Sequence, residues 1–355
     1  MSEEKNIFTQ ELLDRCISCG YCLPACPTYE ITKDEASSPR GRINIMRAVQ
    51  KNELTLFESL DQSSYCLGCR ACEVVCPAGV EYGLMLEEWR DAAWQGKNRP
   101  LIVKLLLFAA NRRVFVRLMG LFNLRNYKKS KQQSVSLMLG CFERGLFPGV
   151  SKSSLKVFDQ VSSNPAQGCC GALHAHNGEL ERGQELAREL GDQLPGTILT
   201  TSGGCAAHLS SVLGKDRVKE VSQYFFENEM LDSLNEITKN GKKIKIGLQD
   251  SCHLRNGLGI FKEPREILKR IGEYQEVPGA AECCGAAGSY ALVRPKDSKE
   301  IVSKKISEIS KLELDYLVTV NPGCQRQMQT SIKKGPKVIH IVELIEMSLQ
   351  SKGSK

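Results

Sequence analysis

Cys16-Ile-Ser-Cys19-Gly-Tyr-Cys22-Leu-Pro-Ala-Cys26-Pro27 and Cys66-Leu-Gly-Cys69-Arg-Ala-Cys72-Glu-Val-Val-Cys76-Pro77 decide the first part of the fold. Both read C-x2-C-x2-C-x3-C-P, the run that binds cubane [4Fe–4S] clusters. Three thiolates two residues apart curl the backbone around one cluster. The fourth Cys leads into a helix, and the Pro stops the chain folding back. In two-cluster ferredoxins the fourth Cys ligates the other cluster. Cluster I is therefore assigned to Cys16, Cys19, Cys22 and Cys76, and cluster II to Cys66, Cys69, Cys72 and Cys26. Zinc is the bland alternative, but zinc sites space two C-x2-C pairs by a longer loop.

Outside these runs the composition is ordinary. The chain has 355 residues, 41% hydrophobic and 25% charged, which excludes wholesale disorder. Its outlier is 16 cysteines. No secretory signal is visible in MSEEKNIFTQELLDRC, so the thiols are expected to stay reduced and available to metal. The longest apolar stretch, Leu101 to Ala110, contains Lys104 and is too short to span a bilayer.

The other eight cysteines form a repeat. Cys141, Cys169-Cys170-Gly171 and Cys205 return as Cys252, Cys283-Cys284-Gly285 and Cys324, at steps of 111 residues for the first Cys and 114 for the Cys-Cys-Gly. Short apolar runs precede the single cysteines, and helical patterns follow each Cys-Cys-Gly at Glu179–Leu190 and Lys299–Ile309. This predicts a duplicated α/β domain with mostly parallel strands. Thiols on loops after strands would converge at the carboxyl ends of the sheet. The glycine is expected to let the backbone approach a metal. Each set (Cys141, Cys169, Cys170, Cys205; Cys252, Cys283, Cys284, Cys324) has three readings: a further iron–sulfur cluster, zinc, or a disulfide or plain packing.

Between the runs, Ser38-Pro39-Arg40-Gly41-Arg42 precedes a helical pattern at Ile43, Ile45, Met46 and Val49. Arg40 and Arg42 are read either as donors that offset cluster charge or as a solvated turn. From Lys97 to Phe142 there are ten Lys or Arg and no acid, leaving the remainder at −3 against a total of +7. Basic residues 112, 113, 117 and 125 lie among apolar ones. This segment is read as membrane docking, partner docking or plain packing. Nucleic acid is not expected. His174, His176 and His253 beside the Cys-Cys-Gly segments are read as proton donors or as structural groups. Arg255 and Arg326 are read as charge offsets or surface residues, and Tyr290 as core. There is no G-x-G-x-x-G, P-loop or G-x-S-x-G, so no flavin or nicotinamide site is legible.

The whole pattern resembles the iron–sulfur subunits of membrane-associated respiratory dehydrogenases. Gly168-Cys-Cys-Gly-Ala-Leu-His-Ala-His-Asn-Gly178, Asp250-Ser-Cys-His-Leu-Arg255, Glu282-Cys-Cys-Gly-Ala-Ala-Gly-Ser-Tyr290 and Asn321-Pro-Gly-Cys324 are similar to the glycolate oxidase (glycolate dehydrogenase) iron–sulfur family. Subunits of anaerobic glycerol-3-phosphate dehydrogenase, lactate utilisation and heterodisulfide reductase are relatives in this resemblance. It implies an α-helical ferredoxin module with two cubane clusters (1–95), a basic amphipathic connector (96–132), and two CCG repeats (133–240, 241–355). It implies a non-flavin subunit, inactive alone, that passes electrons from a FAD-containing catalytic subunit, beside a second flavoprotein-like subunit, to membrane quinone. The location implied is cytoplasmic and peripheral on the inner face of the cell membrane. One departure stands out. Heterodisulfide reductase modules close with C-x-x-C, whereas here the closings are Cys205-Ala-Ala-His208 and Cys324-Gln-Arg-Gln327. A disulfide reductase subunit or a zinc-holding structural adaptor are the rival readings, and His208 is read as a substitute ligand or as a surface or capping residue.

Overall fold

Ser38 starts the helix that organises the N-terminal module of this computed structural model, which describes residues 7–111, 134–164 and 166–351. Its side chain accepts from the Gly41 N–H, and Pro39 fills the first turn, where no donor is needed. This helix (Pro39–Gln50) buries Ile43, Met46 and Val49 at helical spacing. These face Met85, Leu86 and Trp89 of the helix Tyr82–Ala93. The link between the two cysteine runs is thus helical, as the pattern predicts. Leu101–Asn111 follows as a further helix; it buries Val103 and Leu107 and leaves Leu101, Leu105 and Phe108 exposed. The basic residues 112, 113, 117 and 125 lie outside the described residues.

Two four-stranded parallel sheets build the rest. The first contains β1 (Val135–Met138), β2 (Ser162–Ser163), β3 (Thr197–Thr200) and β4 (Val218–Glu220), in the order β2-β1-β3-β4. After a short hairpin, β5 (Thr238–Lys239) and β6 (Lys242–Lys243), come β7 (Lys245–Gln249), β8 (Glu273–Tyr274), β9 (Tyr316–Thr319) and β10 (Lys337–His340). Their order is β8-β7-β9-β10. Each repeat therefore places its strands second, first, third, fourth. The strands read as near-continuous aliphatic runs because helices cover both faces.

The two sheets share one core. Leu137 and Leu199 of the first sheet, with Leu139 just past β1, meet Ile246, Leu248, Val318 and Ile339 of the second in a single buried cluster. A fully buried aliphatic side chain contributes about 1.5–3 kcal/mol, so a cluster this large binds the repeats firmly. Helix Ile341–Gln350 lies on helix Pro148–Val157, where Ser153 and Lys156 both reach Glu346 at 2.6 Å. The Gly203 N–H also donates to the Val320 carbonyl at 3.1 Å, directly below the third-strand cysteines.

Candidate metal centres

Both cysteine runs curl through the same two backbone reversals. Ser18 and Gly20 in the first occupy the positions of Gly68 and Arg70 in the second, with φ of 56°, 90°, 63° and 60°. Ser18 and Arg70 hold this left-handed conformation without being glycine, a strain that concentrates at functional sites. Three thiols of each run thereby share one hollow. The first, about 420 Å³, is lined by Cys16, Cys19, Cys22 and Cys76, with Cys72, Arg40 and Tyr82 in its wall. The second, about 320 Å³, is lined by Cys26, Cys66, Cys69 and Cys72, with Arg42 and Tyr82. The last cysteine of each run lines the other run's hollow.

The donor set fits a sulfur-ligated cube. The Gly68 N–H stands 3.4 Å from Cys66 Sγ and the Val80 N–H 3.5 Å from Cys76 Sγ, as backbone amides do around iron-bound thiolates. Burial pushes the Cys69 and Cys72 thiols well up, so metal binding there would release their protons. The two hollows differ in exposure. Cys19 is exposed, and Ile17 and Tyr21 on the same rim are 68% and 70% accessible. Cys26, Cys66 and Cys69 are all buried. The second hollow is walled by the C-terminal repeat: Leu67 and Cys69 share a buried cluster with Cys252, Cys283 and Tyr290. Asn256, in the π-helical turn His253–Gly257, donates to the Cys69 carbonyl at 2.8 Å.

All eight remaining cysteines lie on the carboxyl side of the first three strands of their repeat. In the first repeat Cys141 Sγ is 3.6 Å from Cys169 Sγ, and Cys170 Sγ is 3.1 Å from Cys205 Sγ. In the second, Cys284 Sγ is 3.3 Å from Cys324 Sγ. The vicinal cysteines thus split, one to each partner thiol. The hydrogen bond from Cys141, then that from Cys170, holds Cys169 well below the usual thiol range. Cys252 is lowered first by Cys283, and Cys284 first by Cys283 and then by Cys324. Among the described residues, no three His, Cys, Asp or Glu side chains close on one point as a single-ion site would.

The glycine of each Cys-Cys-Gly is required by the helix that follows it; for Gly285, at φ +81°, a Cβ would lie 2.9 Å from the Ser298 carbonyl oxygen. Gly171 has φ +85°, and a Cβ there would lie 2.0 Å from the Gly183 carbonyl oxygen. It lets helix Leu180–Gln193 approach the loop backbone closely. His208 departs from its surface-or-capping reading. It is buried, neither surface nor cap, and its Nε2 donates to the Gly183 carbonyl at 3.2 Å.

Three of the other four histidines, His174, His176 and His253, gather where the three modules meet. His176 Nδ1 is 2.7 Å from Glu87 Oε1, and its ring centroid lies 5.0 Å from that of His253 and 6.2 Å from that of His208. His253 Nδ1 is 3.6 Å from Cys252 Sγ, and His174 Nδ1 is 2.6 Å from Glu179 Oε2. Arg255 pairs with Asp250 at 2.9 Å and Arg326 is exposed, while Tyr290 is buried as expected. Two charged residues escaped the sequence reading. Arg144 is buried beside Cys141, and Lys305 is buried with its charge toward Cys284 and Cys283. Lys305 shares a helix face with Ser298, Val302 and Ile309, so a lysine on an apolar stripe was its signal.

Two thiol-lined hollows in a helical module, followed by paired cysteine loops on twin parallel sheets, define an iron–sulfur protein class. Residues 12–80 match the 4Fe-4S dicluster domain, and 135–210 and 246–329 each match the cysteine-rich CCG domain. The chain is 32% identical to the probable glycolate oxidase iron-sulfur subunit of Bacillus subtilis (strain 168), over 97% of this chain and 95% of that protein. It is 30% identical to the glycolate oxidase iron-sulfur subunit of Escherichia coli (strain K12), over 96% and 95%. It is 25% identical to a subunit of the fumarate reductase (CoM/CoB) of Methanothermobacter marburgensis, over 94% and 72%. The chain belongs to the family of glycolate oxidase iron–sulfur subunits.

Proposed function

We propose that this chain is the electron-transfer subunit of a flavin-dependent 2-hydroxyacid dehydrogenase that oxidises glycolate to glyoxylate. The observation that carries this is the pair of hollows, each lined by the four cysteines that crossed ligation requires. Cys16, Cys19, Cys22 and Cys76 would hold one [4Fe–4S] cluster, and Cys26, Cys66, Cys69 and Cys72 the other. Such clusters supply one-electron carriers, so a FAD-containing catalytic subunit must split the substrate's electron pair. A second flavoprotein-like subunit and membrane quinone complete the proposed complex. The chain's own residues wrap the carriers, bury three of the four cysteines of the second, and leave the first open to a partner.

The two CCG sets are read as duplicated sites for further iron–sulfur clusters, four cysteines each, with zinc as the rival. Buried Arg144 and Lys305 suit an anionic thiolate centre at either. Peripheral attachment to the inner face of the cell membrane is proposed for the connector. Its support is the exposed Leu101, Leu105 and Phe108 beside the basic run from Lys97. Among the described residues no helix is long and apolar enough to cross a membrane.

Affinity purification from the native host under anaerobic conditions tests the reading. A co-purifying flavoprotein bleached by glycolate is the expected result; bleaching by lactate or glycerol 3-phosphate instead would overturn the substrate. Iron near eight with two zincs would mark a structural adaptor, and twelve or more irons without zinc the additional clusters.

A further inference from the structure

Arg42 is a charge without a counter-ion. It is fully buried. Its Nε donates to the Gln62 carbonyl at 3.2 Å, and its Nη1 to Thr28 Oγ1 at 3.0 Å and toward Cys26 Sγ at 4.0 Å. Its Nη2 is buried with no hydrogen-bond partner, and the guanidinium carbon lies 5.7 Å from the centroid of the Tyr65 ring. Among the described residues no carboxylate pairs with it, and its side chain lines the enclosed hollow beside Cys26 and Cys66. Arg40, in the wall of the open hollow, is the contrast. It is 30% accessible and pairs with Glu35 at 2.6 Å. Arg47 is only half-buried, and its Nη2 is spent on the Leu13 and Cys16 carbonyls at 2.7 Å each.

Burying a cation without an anion is unfavourable unless something anionic meets it there. Four thiolates around reduced metal are such an anion. Reduction adds one negative charge to the centre, and removal from water opposes that addition. The enclosed site would therefore be hard to reduce on burial alone, whereas the open site keeps the help of solvent. A buried guanidinium reverses this, because its field is least screened inside the protein and hydrogen bonds to the sulfurs raise the potential.

We infer that Arg42 sets the reduction potential of the enclosed centre, presenting an uncompensated positive charge and an N–H to its thiolates. This rests on the ligand reading proposed above. Thr28 is the positioning residue, since its hydroxyl holds Nη1 and lies 3.2 Å from Cys26 Sγ. The step concerned is the arrival of one electron, with no bond made or broken.

The test is a redox titration of the anaerobically loaded full chain, followed by electron paramagnetic resonance. A soluble dysprosium chelate, which relaxes exposed centres, separates the open site's signal from the enclosed one's. Arg42→Gln is expected to lower the enclosed centre's midpoint by at least 59 mV, a tenfold change in its one-electron equilibrium, and to leave the open centre in place. Arg42→Lys, which keeps the charge, should recover most of the shift. Thr28→Val should move the same centre in the same direction by less, and it decides the matter if Arg42→Gln does not load its metal. An unmoved enclosed centre, or equal shifts in both, would overturn the inference. Absence of any cubane signal in the unaltered protein would instead overturn the ligand reading beneath it.

Discussion

Glu87 Oε1 stands 2.7 Å from His176 Nδ1, so a carboxylate of the N-terminal module grips an imidazole of the first cysteine-rich repeat. Arg90 reinforces the joint by donating to the His176 carbonyl at 3.0 Å and to the Cys66 carbonyl at 2.5 Å. The two modules are thus fastened by polar groups within one helix turn of each other. Glu87→Ala should cost about 1–3 kcal/mol, because it strands a half-buried ring nitrogen as well as losing the bond. The check is thermal unfolding of the variant, with limited proteolysis between residues 95 and 135 rising in parallel.

Crossed ligation makes a pairing prediction. Cys76→Ala, although it lies in the second run, should remove the same paramagnetic signal as Cys19→Ala. Cys26→Ala should remove the same signal as Cys69→Ala. Grouping by run instead of by hollow would disprove the assignment drawn from the lining residues.

Two buried groups outside the cysteine sets give opposite pH dependences. Burial pushes Glu220 up to about 7 from the usual 4.5, and burial pulls His340 down to about 4 from 6.5. Folded Glu220 holds its proton longer than unfolded, so its contribution is present below pH 4.5 and lost as pH rises to 7. Folded His340 refuses its proton, so stability is present above pH 6.5 and lost as pH falls towards 4. Each window is worth about 3 kcal/mol. Relative to the unaltered chain, Glu220→Gln should therefore gain on going from pH 4.5 to 7, and His340→Gln on going from pH 6.5 to 4. Denaturant midpoints across this range decide it; parallel curves for all three proteins would refute both attributions.

Gly171→Ala should be among the most damaging single-methyl changes in the chain. The added Cβ meets backbone at 2.0 Å and φ is +85°. A loss of about 3 kcal/mol or more is expected. Gly259→Ala, at φ +74° with open space around it, should cost about 1 kcal/mol. Comparable losses at the two sites, measured by chemical denaturation, would mean that helix Leu180–Gln193 can yield.

The spacing of the cysteines carries most of the architecture. Ser38-Pro39 announces a helix start, and the aliphatic runs before Cys141 and Cys252 announce parallel strands, because caps and periodicity are local. The contact of Cys69 with Cys252 and Cys283 is illegible, since it joins residues that only the tertiary fold brings together. The same holds for Glu87, which sits on an ordinary helix until His176 arrives. Gly171 is legible as a required glycine but its neighbour is not, because a sequence shows that space is needed and not what fills it. Lys305 is legible only as a charge on an apolar stripe; the thiols it faces lie on the loop leading into its own helix, about twenty residues upstream, and the helical pattern does not show that the helix folds back over them.

The aliphatic cluster that runs from Leu137 to Ile345 has a consequence for synthesis. A nascent first repeat has no complete interior while its sequel is still on the ribosome. Its strands stay sticky until the last helix emerges, so the two halves must mature together. Chaperone dependence and intolerance of C-terminal truncation are the outcomes expected from that delay.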